Sequence, residues 1–479
     1  MVNQVSNIIH SIEFSQTAII QLVAFIFGIA WLAVTLYTFY PLLQYVVVSF
    51  VNTHTNYSNE IGNLVINTQN EELEHLPEID VLVPAYDDGN VVHQAISSLR
   101  ATEYPTSKLK INVLIEPGDT DTWRALTSLN EDYEFTTLVV PESYPLQSNK
   151  PRALDYGFNK TSGDVVGVID AEDIVDPALF QYVATGLYVE NKDFVQGRLD
   201  MINENDGWKN LLFRAEYGYW YTLLLKGFYT VGYPVPLGGT TNFFRRSTLK
   251  EIAQIREDEY GLPWPDDSME WFEDQNISYD APWDALNVTE DFELGLLLWV
   301  HNFDIGYLNV STREESPVDY NNWITQRTRW EKGKIYTMFQ WFRHPPEGIG
   351  KKFHLLFQSF LPHYAVINVT GIVILLLYSN IYQISLFDRN QLLLLVTLSI
   401  VVLLALTHSY AYIKISSHSG WKRILRAAIV AITLPVYWAL YWAATLRAIY
   451  QIYTGNLMWE KTEHHGRNRE VSEEVREEE

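Results

Sequence analysis

Two short stretches of the 479-residue sequence place acids where chemistry could use them. In "VVGVIDAEDIVDP", Asp170, Glu172 and Asp173 come directly after a strand-like run, at a turn. Hard carboxylate oxygens in this arrangement suit Mg²⁺ or Mn²⁺, which in turn binds phosphate oxygens. An acidic turn capping the next helix is the plainer reading of the same residues. In "WDALNVTEDFELGLLLW", residues 283–299, Thr289 stands as the N-cap of an apolar-periodic helix with Glu290 and Asp291 in its first turn. A cap explains these acids, yet a carboxylate oriented at a helix start is also a good general base. A third stretch, "NNWITQRTRWEKGK", residues 321–334, crowds a glutamine, two arginines and two tryptophans ahead of a hydrophobic C-terminal region. Alone, it reads as an interfacial amphipathic helix with Trp and Arg at the headgroup level.

The elements that must hold these groups alternate between strand and helix patterns. "IDVLVPAY" (79–86), "KINVLIE" (110–116) and "GDVVGVID" (163–170) are short β-rich runs, and "DDGNVVHQAISSLRATEYP" has helical spacing. Such alternation predicts an α/β fold with a parallel, doubly wound sheet. Ligands of these sheets sit beyond the carboxyl ends of the strands, and three strand ends here finish in polar or acidic residues.

Residues 17–51 are almost continuously apolar, and no Asp, Glu, Lys or Arg lies between Glu13 and Glu60. About 20 such residues span a bilayer, so this segment predicts a spanning helix to about Tyr40 followed by an interfacial piece. Three more apolar segments, near 353–378, 391–413 and 426–446, predict further spans, with a re-entrant turn at Pro435 as the alternative for the last. Basic clusters at Lys351 and Lys352, and at Lys414, Lys422, Arg423 and Arg426, put their loops on the cytoplasmic face. The division expected is 1–51, an N-terminal transmembrane helix and interfacial segment; 52–350, a cytoplasmic domain; 351–455, C-terminal transmembrane helices; and 456–479, an acidic tail. The protein is thus expected in the cell membrane as a multi-pass chain with its large domain in the cytoplasm. Its formal charge of −24, from 58 acidic against 34 basic residues, argues against nucleic acid as a partner. With no cysteine it has neither disulfides nor a thiolate metal site.

Taken in order, "VPAYDDGNVVHQAISSL", "NVLIEPGDTDT", "KPRALDYGF", "VIDAEDIVDP", "PLGGTTNFFR", "VTEDFELG" and "QRTRW" resemble the membrane-bound, inverting family 2 glycosyltransferases, the group of cellulose and hyaluronan synthases. The resemblance covers roughly residues 79–335. It implies a doubly wound nucleotide-sugar-binding (GT-A-like) domain inserted between transmembrane helices. Pro84, Ala85 and Tyr86 match the family's loop beside the nucleotide base. Glu116 falls where the family usually has an aspartate on the base or ribose. Lys150 matches a basic residue near the diphosphate. Asp170 and Glu172 occupy the two acidic positions of the D-x-D motif, with Asp173 placed to share the metal. Gly238 to Asn242, including Gly239 and Thr240, resemble the loop that shapes the acceptor end, where Glu290 also lies. Asp291 matches the base of the T-E-D motif, and Gln326, Arg329 and Trp330 supply Q-x-x-R-W.

These matches imply one in-line displacement at an anomeric carbon. Asp291 takes the proton of an acceptor hydroxyl. The metal and Arg329 offset charge on the departing diphosphate, Gln326 hydrogen-bonds the diphosphate or donor, and Trp330 offers an aromatic face to the acceptor sugar. Arg327 and Lys332 are expected to be interfacial cations that face lipid. The partners implied are a UDP- or GDP-sugar, a carbohydrate or lipid-linked acceptor, and membrane lipids. A single transfer to a polyprenyl-phosphate or glycolipid, and a non-catalytic membrane scaffold, are the competing readings.

Overall fold

A computed structural model describes residues 76–261, 268–275, 278–360 and 391–455, with Glu460 and scattered positions between 29 and 43. Most of the N-terminal apolar stretch, residues 361–390 and nearly all of the acidic tail lie outside the described residues. The spans expected there are therefore not seen.

The first half of the domain alternates as anticipated. It runs β1 (Ile79–Ala85), α1 (Val92–Arg100), β2 (Leu109–Ile115), α2 (Thr120–Leu129), β3 (Thr136–Val139), α3 (Lys150–Lys160) and β4 (Val165–Val168). Strand β1, "IDVLVPA", is buried along nearly its whole length, the mark of a strand covered on both faces. Its side chains alternate: Val81 and Val83 join the core under α1, while Leu82 joins the core under α3. Each such aliphatic side chain contributes about 1.5–3 kcal/mol on burial. Helix α3 starts at a fixed point because Asn149 accepts a hydrogen bond from the Arg152 amide at 2.9 Å and Pro151 follows in the first turn.

The second half departs from the expected pattern. It contains α4 (Leu179–Ala184), β5 (Phe194–Met201), α5 (Trp208–Tyr219), α6 (Leu225–Val231), β6 (Asn242–Arg245), α7 (Arg246–Tyr260), α8 (Ser268–Gln275), α9 (Glu290–Val300) and β7 (Ile305–Glu314). The seven strands lie in the order β3-β2-β1-β4-β6-β5-β7, and β6 runs antiparallel to both β4 and β5. The sheet is therefore mixed, not wholly parallel as the alternation predicts. The four-residue β6 returns immediately after the "GGTT" loop, which places that loop at the carboxyl end of β4.

Four helices then pack beside the sheet: α10 (Tyr320–Arg343), α11 (Ile349–Phe360), α12 (Gln391–Ile415) and α13 (Gly420–Tyr453). Helix α13 packs along α10, α12 and α5, around a core that includes Phe213, Trp323, Tyr412, Leu434 and Tyr437. It continues unbroken through Pro435, so the re-entrant turn considered for that residue is not formed. Among the described residues, α13 is the helix long and apolar enough to cross a membrane, and Val401–Ile415 is a shorter apolar stretch. Helix α5 ends in a π-helical turn, Trp220–Leu224. Such wide turns re-aim side chains and often occur at functional sites.

Candidate active site

A cavity of about 1170 Å³ opens at the carboxyl ends of the strands and extends between α5, α10, α12 and α13. Of the residues singled out in the sequence, Pro84, Tyr86, Glu116, Lys150, Asp170, Glu172, Gly239, Thr240, Glu290, Asp291, Gln326, Arg329 and Trp330 all line it. Asp173 does not.

The centre of the site is Gly239. A Cβ at this position would lie 3.5 Å from Asp291 Oδ2, 3.5 Å from Lys150 Nζ and 3.7 Å from Asp170 Oδ2. Residues from four separate segments of the chain thus converge on one point, and only a residue without a side chain leaves that point open. Lys150 Nζ donates to the Asp170 carboxylate and, at 2.7 Å, to the Gly239 carbonyl. Burial alone would lower the Lys150 ammonium, but Asp170, Glu290 and Asp291 outweigh it and hold it above the ordinary lysine range. The "GGTTN" loop carries strain: Thr241, a β-branched residue, has φ 58°. Backbone bonds from the Thr241 amide to Val168 at 2.8 Å, and from the Gly197 amide to the Thr241 carbonyl at 2.9 Å, hold it there.

Helix α9 presents the second group of acids. Thr289 occupies its N-cap position as expected, but its hydroxyl makes no capping bond, and its amide donates instead to Asn287 Oδ1 at 3.0 Å. Burial raises the Asp291 carboxyl above its usual range, against the pull of Lys150 and the Phe292 amide. Glu290 is pushed up to about 7 by burial and by the adjacent Asp291. The loop ahead of α9 docks on α10. A Cβ at Gly333 of α10 would fall 2.1 Å from Thr289 Oγ1, and Asn287 Nδ2 donates to Thr337 Oγ1 at 2.9 Å. Close approach at Gly333 therefore sets the distance between the T-E-D acids and the Q-x-x-R-W helix.

Positions 326, 329 and 330 fall at i, i+3 and i+4 of α10, on one face of the helix. That face lines the cavity. Gln326 lines the cavity, and its amide oxygen is buried without a protein partner.

Three expectations need correction. Asp173 is fully buried beneath the cavity floor, where its carboxylate accepts from the Thr240 hydroxyl and, at 3.1 Å, from the Asp170 amide. It braces the turn that aims Asp170 and does not stand beside it as a third ligand. Arg327 faces no lipid. It is 1% exposed, donates to Glu216 at 2.8 and 2.9 Å, and sits over the rings of Phe213 and Trp330 at 4.3 and 4.2 Å. Glu216 also accepts from Tyr437 at 2.8 Å and Tyr441 at 2.5 Å, so this knot joins α5, α10 and α13. Lys332 is likewise buried. Glu116 does reach the cavity, but Arg152 Nη1 contacts both of its carboxylate oxygens at 2.7 Å.

Two groups escaped the sequence reading. Arg152 lies two residues past the singled-out Lys150, on the inner face of α3. Glu314 ends β7, and the rule that ligands sit beyond strand ends would have drawn attention to it.

Asp170 and Glu172 offer a divalent ion two hard oxygen ligands at the cavity wall. Among the described residues no group of three or more acidic or imidazole side chains could hold a metal alone. Two carboxylates with the remaining positions left to phosphate oxygens and water is how Mg²⁺ sites on nucleotide substrates are commonly built, so the residues fit the ion.

Residues 77–333 match the family model described as "Glycosyltransferase like family 2", and the chain belongs to that family. It is a glycosyltransferase, and its α/β domain is built on the mixed seven-stranded sheet. Among curated proteins it is 25% identical over 331 residues to the probable glycosyltransferase YdaM of Bacillus subtilis (strain 168), covering 65% of this chain and 69% of that one. It is 22% identical over 299 residues to the beta-monoglucosyldiacylglycerol synthase of Synechocystis sp., spanning 60% of this chain and 56% of that one. Among solved structures, the mannosyltransferase PcManGT from Pyrobaculum calidifontis, in complex with GDP-Man and Mn²⁺, is similar over 89% of this chain and 99% of its own, at 13% identity and TM-score 0.47.

Proposed function

We propose that this chain is an inverting hexosyltransferase working at a membrane, which moves the sugar of a UDP- or GDP-sugar onto a carbohydrate acceptor in the synthesis or export of a polysaccharide. The observation that carries the reading is the convergence of Asp291, Lys150 and Asp170 on the open point at Gly239. In one displacement the acceptor oxygen bonds the anomeric carbon as the bond from that carbon to the diphosphate oxygen breaks. Asp291 Oδ2 receives the hydroxyl proton. Its raised proton affinity makes it a stronger base than a free aspartate, and the Phe292 amide in the first turn of α9 helps hold it in place.

Lys150 and Arg329 are fixed cations for the charge that grows on the diphosphate. A Mg²⁺ or Mn²⁺ ion held by Asp170 and Glu172 would neutralise the same charge as a Lewis acid. Pro84, Tyr86 and Glu116 bound the nucleotide end, with Glu116 held in one orientation by Arg152. Gln326 lines the cavity with its amide group, whose oxygen has no protein partner, as a hydrogen-bonding group for the donor. Trp330, Gly239, Thr240 and Glu290 bound the acceptor end, where the Trp330 ring gives a pyranose a flat apolar face.

The membrane part of the reading rests on α13, whose outward residues Ile432, Val436, Leu446, Ile449 and Tyr450 are exposed and apolar. Arg426 donates to the Glu204 carbonyl at 2.9 Å and Arg214 to the Ile415 carbonyl at 2.9 Å. The basic turn between α12 and α13 thus lies against the catalytic domain, which supports a cytoplasmic site in a multi-pass chain.

A second reading, one transfer to a lipid-linked acceptor, is favoured by the apolar continuation of the cavity along Phe39, Leu224, Leu404, Leu434 and Trp438. The Synechocystis relative, by its name a glycolipid synthase, points the same way. The test is release of nucleoside diphosphate from UDP- and GDP-sugars by the purified chain, with Mg²⁺, with Mn²⁺ and with chelator. A ladder of products on a gel supports polymer synthesis, label extracted into organic solvent supports the lipid acceptor, and no release with any donor overturns both.

A further inference from the structure

Glu314 is the last residue of β7, at the carboxyl edge of the sheet. Its backbone is fixed by pairing with Met201 and by the Ile202 amide, which donates to its carbonyl at 3.0 Å. The residue is 8% exposed and lines the cavity. Among the described residues, no hydrogen-bond donor or cation engages its carboxylate. The charges that act on it are Asp173, Glu172 and Asp170, with Lys150 opposing them at longer reach. Glu314 is the charge acting most strongly on Tyr217 and Tyr221, which lie at the π-helical end of α5 and also line the cavity.

A carboxyl largely withdrawn from bulk water and facing a cavity without a protein donor costs free energy, and three acids acting on it add to that cost. Among the described residues Lys150 opposes that cost without bonding the carboxylate, so the group is available to a ligand in the cavity. The surroundings indicate what kind. Tyr217, Tyr221 and Trp330 form an aromatic wall, which suits the apolar face of a pyranose ring, while the carboxyl suits its hydroxyl edge.

We propose that Glu314 is a sugar-binding residue whose carboxyl group hydrogen-bonds a hydroxyl of the saccharide lying against Tyr217 and Tyr221. The proposal rests on the glycosyltransferase reading of this cavity. The shared chemistry is a sugar hydroxyl, and it belongs either to the donor sugar or to the acceptor.

The experiment compares the full chain in detergent with its Glu314→Leu and Glu314→Gln variants. Calorimetry follows binding of UDP and GDP. One kinetic arm follows acceptor-free hydrolysis of UDP-glucose, UDP-N-acetylglucosamine and GDP-mannose. The other follows the stimulation of nucleoside diphosphate release by added cellobiose and diacetylchitobiose. Glu314→Leu should bind UDP and GDP as the wild type does, with the same Mn²⁺ dependence, and should lose about tenfold to a hundredfold in nucleotide-sugar turnover. Glu314→Gln, which keeps hydrogen-bonding atoms, should lose less. A loss already present without acceptor assigns the hydroxyl to the donor, and a loss confined to the stimulated reaction assigns it to the acceptor. Wild-type turnover by Glu314→Leu in both arms would overturn the proposal. So would loss of UDP and GDP binding or an altered Mn²⁺ dependence in that variant, since Glu314 would then support the fold or the metal. A wild-type chain that binds neither nucleotide would instead sink the underlying reading of the cavity, and this proposal with it.

Discussion

On the strand side of the cavity, Asp170 and Glu116 leave the sheet directly beyond β4 and β2, and each meets a cation from the start of α3: Lys150 for Asp170, Arg152 for Glu116. On the helix side, Arg327 and Glu216 meet on helices far apart in the chain, boxed by aromatic rings and tied to α13. Strand ends are already fixed by the sheet ladder, so their ion pairs are not needed to join elements and can face a ligand in the cavity. Helices α5, α10 and α13 have no such ladder between them and are joined by a buried ion pair, which holds Trp330 in place from behind. The same charge types thus act as ligand groups on one wall and as a fastening on the other.

Breaking the fastening should show this most clearly. Arg327→Met takes the cation from partly exposed Glu216, which keeps its bonds from Tyr437 and Tyr441, and should cost about 1.5–3 kcal/mol of stability. Thermal unfolding should register the loss, while UDP or GDP binding survives where the chain remains folded. At the seam between the walls, Gly333→Ala drives a methyl into Thr289. It should cost about 1–3 kcal/mol and lower turnover further than the stability loss explains, because it moves Trp330 away from Asp291.

Glu290 tests the balance by pH. Its folded carboxyl titrates near 7, against 4.5 for an ordinary glutamate. A raised carboxyl contributes stability that is fully present below the unfolded value and lost as the pH rises through the folded one. Glu290→Gln should remove that slope, melting about 2–4 °C above the wild type in mildly alkaline buffer and no higher than it near pH 4.5. The smallest effect on stability belongs to the strand side. Glu172→Gln should change it by no more than about 0.5 kcal/mol while weakening metal-dependent donor binding. Unchanged donor binding in Glu172→Gln, or full turnover in chelator, would remove the metal from that wall.

How much of this was legible in the sequence follows the same division. Strands β1, β2 and β4 are short buried runs with polar ends, and the structure has them within two residues of the predicted limits. The D-x-E and T-E-D acids follow such local signals. Strand β6 is four residues between a glycine loop and a helix, too short for its pattern to show that it runs backwards. Asp173 carries the same charge as its neighbours, and only the fold of the turn sends it inward. Arg327 and Arg329 are two residues apart on a helix, which puts them about 200° apart around its axis. That spacing separates their faces, but nothing in the sequence names Glu216, more than a hundred residues earlier, as the partner of Arg327.

The claim on which the account turns is that Asp291 is the base and not a helix cap. Asp291→Asn keeps the size of the side chain and most of its capping ability, so thermal stability should move by no more than about 1 kcal/mol. Nucleoside diphosphate release measured on the same preparation should fall about a hundredfold to ten-thousandfold, with donor binding retained. An Asp291→Asn protein that turns over at nearly the normal rate, with only a modest loss of stability, would contradict the account and return these residues to the role of a helix start.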